Sequence, residues 1–259
     1  MKNTVVFIGR VNEKGKVQPT ATGFLVKVGN IVHMVTAKHV VVDPRKDRFI
    51  DGDLQVFLNT KEGKIHTKSL KDFKDMGLRW VFHENKEVDI AMIAFPASVQ
   101  DDNFKTIPDY LFVSSDQFYE IFDIFFLSYQ PGIDIQKNIS PIIRSGTVSL
   151  MNDDKTFYVD AAAFPGNSGS PVFLNPTSMT YDKTGLSPVP GGFIGIIGQY
   201  ISYKETAVSL QTKRVRVIFE ENTGLSRVWS VSFLHDVINS ESFKRAIGDI
   251  PGEFRDQTV

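Results

Sequence analysis

The sequence predicts an all-β fold of the sandwich or barrel class. Three observations carry that expectation. Short apolar runs rich in β-branched and aromatic residues recur along most of the chain. Turn-forming residues separate them, and no strand–helix–strand alternation or fixed-period repeat breaks the series.

The runs can be taken in order. Residues 4–8 read TVVFI and stop at a polar turn, Asn12-Glu13-Lys14-Gly15. Residues 23–28 (GFLVKV) and 31–35 (IVHMV) flank Gly29-Asn30, a hairpin signal because the tight turn needs a residue that tolerates positive φ. Further strands are expected at residues 54–58, 90–95, 121–127, 145–150, 156–159, 171–174, 193–197, 214–219 and 228–233. Residues 61–86 carry many lysines and read as a solvated loop and edge region. Residues 101–110 are largely polar, contain Pro108 and read as a connection between two halves, 1–110 and 111–259. Helix is expected mainly at the end. There Phe233, Leu234, Val237 and Ile238 follow helical spacing behind Ser232 as N-cap, and Ser240 caps a second turn carrying Phe243 and Ile247.

Composition narrows the function. With 259 residues, 42% hydrophobic and 23% charged, the chain is long enough to bury a substantial core. A net charge of -1 argues against nucleic-acid or membrane-surface binding driven by bulk electrostatics. The absence of cysteine excludes disulfides, thiolate nucleophiles and cysteine metal sites, and the histidines show no paired ligand spacing, so neither metal nor cofactor is expected. The apolar run at residues 5–9 ends at Arg10, too short for a signal-peptide core, and no run approaches a membrane span. The expected location is the cytoplasm, with a secreted protein whose leader lies outside this sequence as the alternative.

Chemistry concentrates in one stretch, FPGNSGSP, from Phe164 to Pro171. It reads either as a solvent-exposed glycine-rich hairpin or as a backbone bent to aim the N–H groups of Gly166 and Ser168 at one point. Gly166 and Gly169 permit φ values that a side chain resists. Such N–H groups form an oxyanion hole, and the Ser168 hydroxyl would lie beside it. A serine nucleophile needs a base within hydrogen-bond reach, and the base needs an acceptor that fixes its tautomer. Of the five histidines, His33 sits in a strand pattern and suits packing, His66 and His83 lie in polar stretches, and His235 lies in the terminal helix. His39 follows a strand exit in MVTAKHVV, where loops carry function. Asp89 opens the apolar run DIAMIAF, where a carboxylate is costly without a hydrogen-bond donor; the plain alternative is a surface aspartate at a strand start. The order His39, Asp89, Ser168 differs from the serine-first order of α/β-hydrolases, and Ser170 replaces the last glycine of their elbow. It fits the order found in chymotrypsin.

These residues resemble those of the trypsin-like serine peptidases, in particular the bacterial HtrA-like branch. The resemblance rests on ATGFLVKVGNIVHMVTAKHVV, VDIAMIAF, IIRSGTVSL, VDAAAFPGNSGSPVF and GFIGIIG, in that order between Ala21 and Gly198. It implies a chymotrypsin-like pair of packed, six-stranded antiparallel β-barrels with a C-terminal helix. The barrel of residues 1–110 would carry His39 and Asp89, and that of residues 111–259 would carry Ser168. It implies His39 as general base, Asp89 as its orienting carboxylate, Ser168 as nucleophile and the Gly166 and Ser168 N–H groups as oxyanion hole. Asn167 stands where zymogen-activated trypsins have the aspartate that binds the new N-terminus, so that switch is not expected. Nor is a PDZ domain, since little chain follows Ile238. By the same resemblance Ala162 and Ala163 lie at the base of the specificity pocket, Gly198, Gln199 and Tyr200 form the substrate-pairing edge, and Val228 lies near the far wall. The implied activity is a serine endopeptidase acting on proteins or peptides with a small or aliphatic P1 residue. The competing readings are a latent or inactive trypsin-fold module that binds peptides or partner proteins, and an esterase using the same triad.

Overall fold

The computed structural model describes residues 1–252 apart from 134, 136, 177, 178, 183, 184, 189, 190 and 251. In the first half lie β1 (Val5–Val11), β2 (Val17–Val28), β3 (Ile31–Thr36), β4 (Val42–Asp43), β5 (Arg48–Phe49), β6 (Gln55–Asn59), β7 (Ile65–Ser69), α1 (Leu70–Asp75), β8 (Val81–Phe82), β9 (Ala91–Ala94) and β10 (Ile107–Pro108). In the second lie β11 (Asp123–Ser128), β12 (Ile142–Met151), β13 (Thr156–Asp160), β14 (Pro171–Leu174), β15 (Met179–Asp182), β16 (Gly185–Pro188), β17 (Gly192–Val208) and β18 (Val215–Ser230). Two helices, α2 (Val231–Asn239) and α3 (Glu241–Gly248), follow.

The expected all-β class with C-terminal helix is observed, but with one closed six-stranded barrel where two were expected, because the strand order of the first lobe does not close on itself among the described residues. The first lobe is an eight-stranded sheet in the order β7-β6-β1-β2-β3-β9-β8, with β10 alongside β2. The second is a closed six-stranded barrel, β11-β12-β13-β18-β17-β14. The Gly29-Asn30 signal does join β2 to β3 through the pair Val28↔Ile31, and Gly29 adopts φ +59°. Both faces of β1 are buried, with Val5 and Phe7 in one core cluster and Val6 and Ile8 in another, so a one-residue slip would exchange the two sets of side chains.

Local expectations and outcomes differ in four places. The runs at 214–219 and 228–233 are not separate strands. The first belongs to β18, which continues through EENTGLSR by pairing with β17 across several register shifts and ends at Ser230. Residues 231–233 are already helix, and the N-cap of α2 is Ser230, not Ser232. Residues 61–86 are not all solvated: β7 is the edge strand, but Leu70 and Phe73 on α1 are buried. Residues 101–110 are more than a connection, because Phe104 and Ile107 are buried and β10 pairs in parallel with β2. Ser240 does cap α3, accepting from Phe243 N.

One core cluster spans both lobes, beside a separate cluster in each. Phe193 of β17 is fully buried, with its ring centroid 5.1 Å from Phe24 of β2, 5.2 Å from Phe112 and 5.8 Å from Phe173 of β14. Such offset and edge contacts add to the burial of apolar area. The chain end also returns to the first lobe, where the Phe243 ring of α3 lies 5.2 Å from His33. His33 is buried, and burial pushes its pKa down to about 4 despite the backbone bond to Ile31 O, so it stays neutral and packs. Because Phe193 lies at the junction, Phe193→Ala is expected to cost about 3–5 kcal/mol of unfolding free energy, measured by urea denaturation.

Candidate active site

His39 lies in a 3-10 turn, Lys38–Val40, that begins two residues after β3 ends. Asp89 lies two residues before β9, next to fully buried Ile90. Since β3 and β9 are paired strands, the two residues are carried to the same end of the first sheet. His39 is tied to Asp89 twice: its main-chain N–H donates to Oδ1 at 2.8 Å, and its Nδ1–H donates to Oδ2 at 2.7 Å. A carboxylate only accepts, so the proton of neutral His39 resides on Nδ1 and its lone pair on Nε2. The Ser168 hydroxyl lies 3.0 Å from that Nε2 and donates to it. Burial lowers the His39 pKa, but the hydrogen bond to Asp89 and the Asp89 charge outweigh it, and the net shift is upward from the ordinary 6.5.

The nucleophile loop is a built turn. Asn167 N donates to Phe164 O at 2.9 Å, and Gly166 in the third position has φ +101°. Pro165 then Gly166 at the two central positions is the sequence of a type II turn. A Cβ on Gly166 would also meet the Tyr129 ring at 2.8 Å. Asn167 is fully buried, and both ends of its amide are used: Oδ1 accepts from Phe164 N at 2.8 Å, and Nδ2 donates to Tyr129 O. The N–H groups of Asn167, Gly169 and Ser170 donate to Phe164 O, Ile197 O and Asn167 O. Those of Gly166 and Ser168 donate to no protein acceptor among the described residues. Two donors are thus left uncommitted on either side of Asn167, beside the serine hydroxyl.

A threonine outside the expected site holds this loop to the first lobe. Thr22 of β2 donates its main-chain N–H to Ser168 O at 3.0 Å and its hydroxyl to Gly166 O at 2.7 Å. The same hydroxyl accepts from Tyr129 N at 3.0 Å, while Thr22 O accepts from the Thr36 hydroxyl at 2.8 Å. Gly169, at φ +84°, leaves no room for a side chain: a Cβ there would collide with Thr22 O and the Thr36 hydroxyl. Sequence reading passed over Thr22 and Thr36, although each is a hydroxyl on a fully buried strand position, a signal visible once the alternation is assigned.

A cleft of about 860 Å³ opens between the lobes and takes in His39, Asp89 and Ser168. Of the expected pocket residues, Ala163, Gly198, Gln199 and Tyr200 line it. Ala162 does not, and Val228 requires correction: it is fully buried in the barrel core, paired with Ile197. Because side chains alternate along β18, its neighbours Arg227 and Trp229 face the cleft instead. Gly198 sits at a register shift in β17, where a Cβ would lie 2.7 Å from Trp229 Nε1, and Gly198 O faces the Ser168 hydroxyl at 3.3 Å.

Thr22→Val removes the hydroxyl that both holds Gly166 O and receives Tyr129 N, with little change in shape. The expected cost is about 1–3 kcal/mol in urea denaturation, and the variant should also lose reactivity at Ser168, which a serine-directed active-site titrant would measure.

Residues 21–178 match the family model described as a trypsin-like peptidase domain. No curated protein sequence matches the chain significantly. Among solved structures, the chain is similar to the serine endoprotease from Yersinia pestis at 15% identity and a TM-score of 0.51, covering 96% of this chain and 64% of that one. It is also similar to Deg5, at 17% identity and a TM-score of 0.47, covering 73% of this chain and 84% of that one. The chain thus spans somewhat under two thirds of the Yersinia protein's length. Among the described residues, no helix is long and apolar enough to cross a membrane. With the fold and the family model in agreement over more than half of its length, the chain belongs to the trypsin-like peptidase family.

Proposed function

We propose that the chain is a serine endopeptidase that cleaves proteins or peptides through an acyl-enzyme intermediate. The observation that carries this reading is the line Ser168 Oγ, His39 Nε2, His39 Nδ1 and Asp89 Oδ2, with spacings of 3.0 and 2.7 Å, beside two uncommitted main-chain N–H groups.

In this reading Ser168 Oγ attacks the scissile carbonyl while His39 Nε2 takes its proton. The carbonyl oxygen gains the electron pair and is held by the N–H groups of Gly166 and Ser168. Asp89 orients the ring and stabilises the imidazolium. His39 then gives the proton to the leaving amine, and water, activated by the same histidine, releases the acid.

The edge of β17 supports a peptide substrate. β17 pairs with β14 from Gly192 to Ile196, and Ile197 is engaged by Ser170 and Gly169. Beyond that point the same edge, Gly198 to Tyr200, has no strand partner among the described residues. An extended peptide added there gains main-chain hydrogen bonds and runs past Ser168. Phe164, Pro165, Tyr200 and Trp229 line the adjoining space. The expected preference for a small or aliphatic P1 residue rested on Tyr200 and Val228 together; with Val228 in the core it is not carried over.

Two outcomes test this reading. The catalytic base must be neutral, so kcat/KM for a fluorogenic peptide should rise with pH through a raised His39 pKa. The midpoint of the acid limb should therefore lie above the ordinary value of about 6.5; a rate already at its maximum near pH 5 would exclude this base. Asp89→Asn should lower kcat about 10⁴-fold. With the Asp89 charge gone, burial acts unopposed, and the residual acid limb should move to lower pH than in the native chain.

A further inference from the structure

The side of the cleft contributed by the second half of the chain is neutral except at one residue. All charged cleft residues but one come from the first lobe: Lys38, Asp47, Lys86, Glu87 and Asp89. Asp89 is bound to His39, Lys38 donates to Lys86 O, and Lys86 approaches Asp47 at 3.9 Å. The cleft residues contributed by the second half of the chain run from Ala163 to Trp229, and Arg227 alone among them is charged.

Arg227 is held rather than waving. Its guanidinium lies 4.6 Å over the Trp229 ring, and the side chain is 27% exposed. Trp229 in turn lies under Gly198, whose carbonyl faces the Ser168 hydroxyl. The guanidinium is therefore linked to the nucleophile through Trp229 and Gly198, three contacts in all. Arginine carries five N–H donors. One is given to Asp154 Oδ2 at 3.1 Å, and Asp154 is itself 58% exposed and also accepts from Thr156 N and the Thr156 hydroxyl. Nε is buried and has no acceptor among the described residues. The Nη N–H groups beyond the one given to Asp154 have no acceptor among the described residues either, and on a side chain that is partly exposed they can meet an incoming anion.

We infer that Arg227 makes the space beside Ser168 selective for an acidic side chain, so that the preferred P1 residue is Glu or Asp. This deepens the proposed peptidase reading and rests on it. A carboxylate meeting a planar guanidinium among Trp229, Tyr200 and Phe164 makes charge-assisted bonds in a partly dry site, where they are strongest. A basic P1 side chain meets like charge there and finds no carboxylate at Ala163. Arg227 is thus a specificity determinant, while the bond-making atoms remain those of Ser168 and His39.

The test has a turnover arm and a binding arm. In the first, a fluorogenic library varied only at P1 is cleaved by the native chain, Arg227→Gln, Arg227→Lys and Asp154→Asn. The native chain should favour Glu or Asp over Leu or Ala by about tenfold or more in kcat/KM. Arg227→Gln should erase that preference, Arg227→Lys should keep part of it, and Asp154→Asn should strengthen it. Asp154→Asn retains the carbonyl that receives Thr156 and frees the guanidinium, so it reports on Arg227 without disturbing the stack on Trp229. In the second arm, peptides ending in Glu or Leu are titrated onto Ser168→Ala, where no turnover is needed. Tighter binding of the Glu peptide, lost when Arg227→Gln is added, supports the inference. A native chain that cleaves Leu or Ala peptides best overturns the inference and leaves the peptidase reading standing. Cleavage of nothing in the library counts against the peptidase reading, and the Ser168→Ala titration then decides on Arg227 alone: equal binding of both peptides overturns it.

Discussion

Thr22 is the point on which the site depends. His39 and Asp89 are carried by one sheet and Ser168 by the other, so a distance of 3.0 Å between Nε2 and Oγ exists only if the lobes keep register. Packing alone is non-directional and tolerates sliding. The hydrogen bonds from Thr22 to Ser168 O and Gly166 O, and from Tyr129 N back to Thr22, are directional and buried, and sliding would leave several buried polar groups unpaired at once. The shared aromatic core around Phe193 supplies the adhesion, and this small polar knot sets the alignment.

A second constraint lies inside the nucleophile loop. A type II turn needs glycine at its third position, and Gly166 meets that need against the Tyr129 ring. Asn167 closes the turn from within, with its amide joined to Phe164 N and Tyr129 O. The loop's shape is therefore maintained by contacts within the described chain, with no ion pair to a new N-terminus. The same geometry explains why Gly166 and Ser168 keep free N–H groups while Asn167, Gly169 and Ser170 spend theirs. Order in the turn and readiness of the donors have one cause.

Much of this was legible from the residues, and the reasons differ from place to place. FPGNSGSP announces a turn because proline, glycine and asparagine each restrict or permit particular backbone angles locally. His39 and Asp89 could be picked out by their places at the ends of apolar runs. The strands of the buried sheets were legible because alternation and turn residues are local signals too. What escaped depends on partners distant in the chain. The long arm formed by β17 and β18 mixes charged and apolar residues and crosses register shifts, so no simple period marks it. Val228 was placed at the cleft wall by resemblance, yet the pairing of β18 with β13 and β17 turns it into the core and brings Arg227 and Trp229 outward. Thr22 looked like an ordinary strand residue, because its importance comes from Gly166 and Ser168, far along the sequence. His66 read as a polar-stretch histidine, yet its Nδ1 meets the fully buried Asp102 carboxylate, which Lys68 also contacts; this pairing pins one edge of the first sheet.

In the proposed function the lobes bring Ser168, His39 and the two free N–H groups together as an activated serine. Labelling of the purified chain with a fluorophosphonate reagent tests it most directly, because phosphonylation needs an activated hydroxyl and an oxyanion site but no peptide specificity. The native chain should be labelled, Ser168→Ala not at all and His39→Ala hardly at all. A native chain that is well folded by circular dichroism yet unlabelled, or a His39→Ala variant labelled as fast as the native chain, would contradict it.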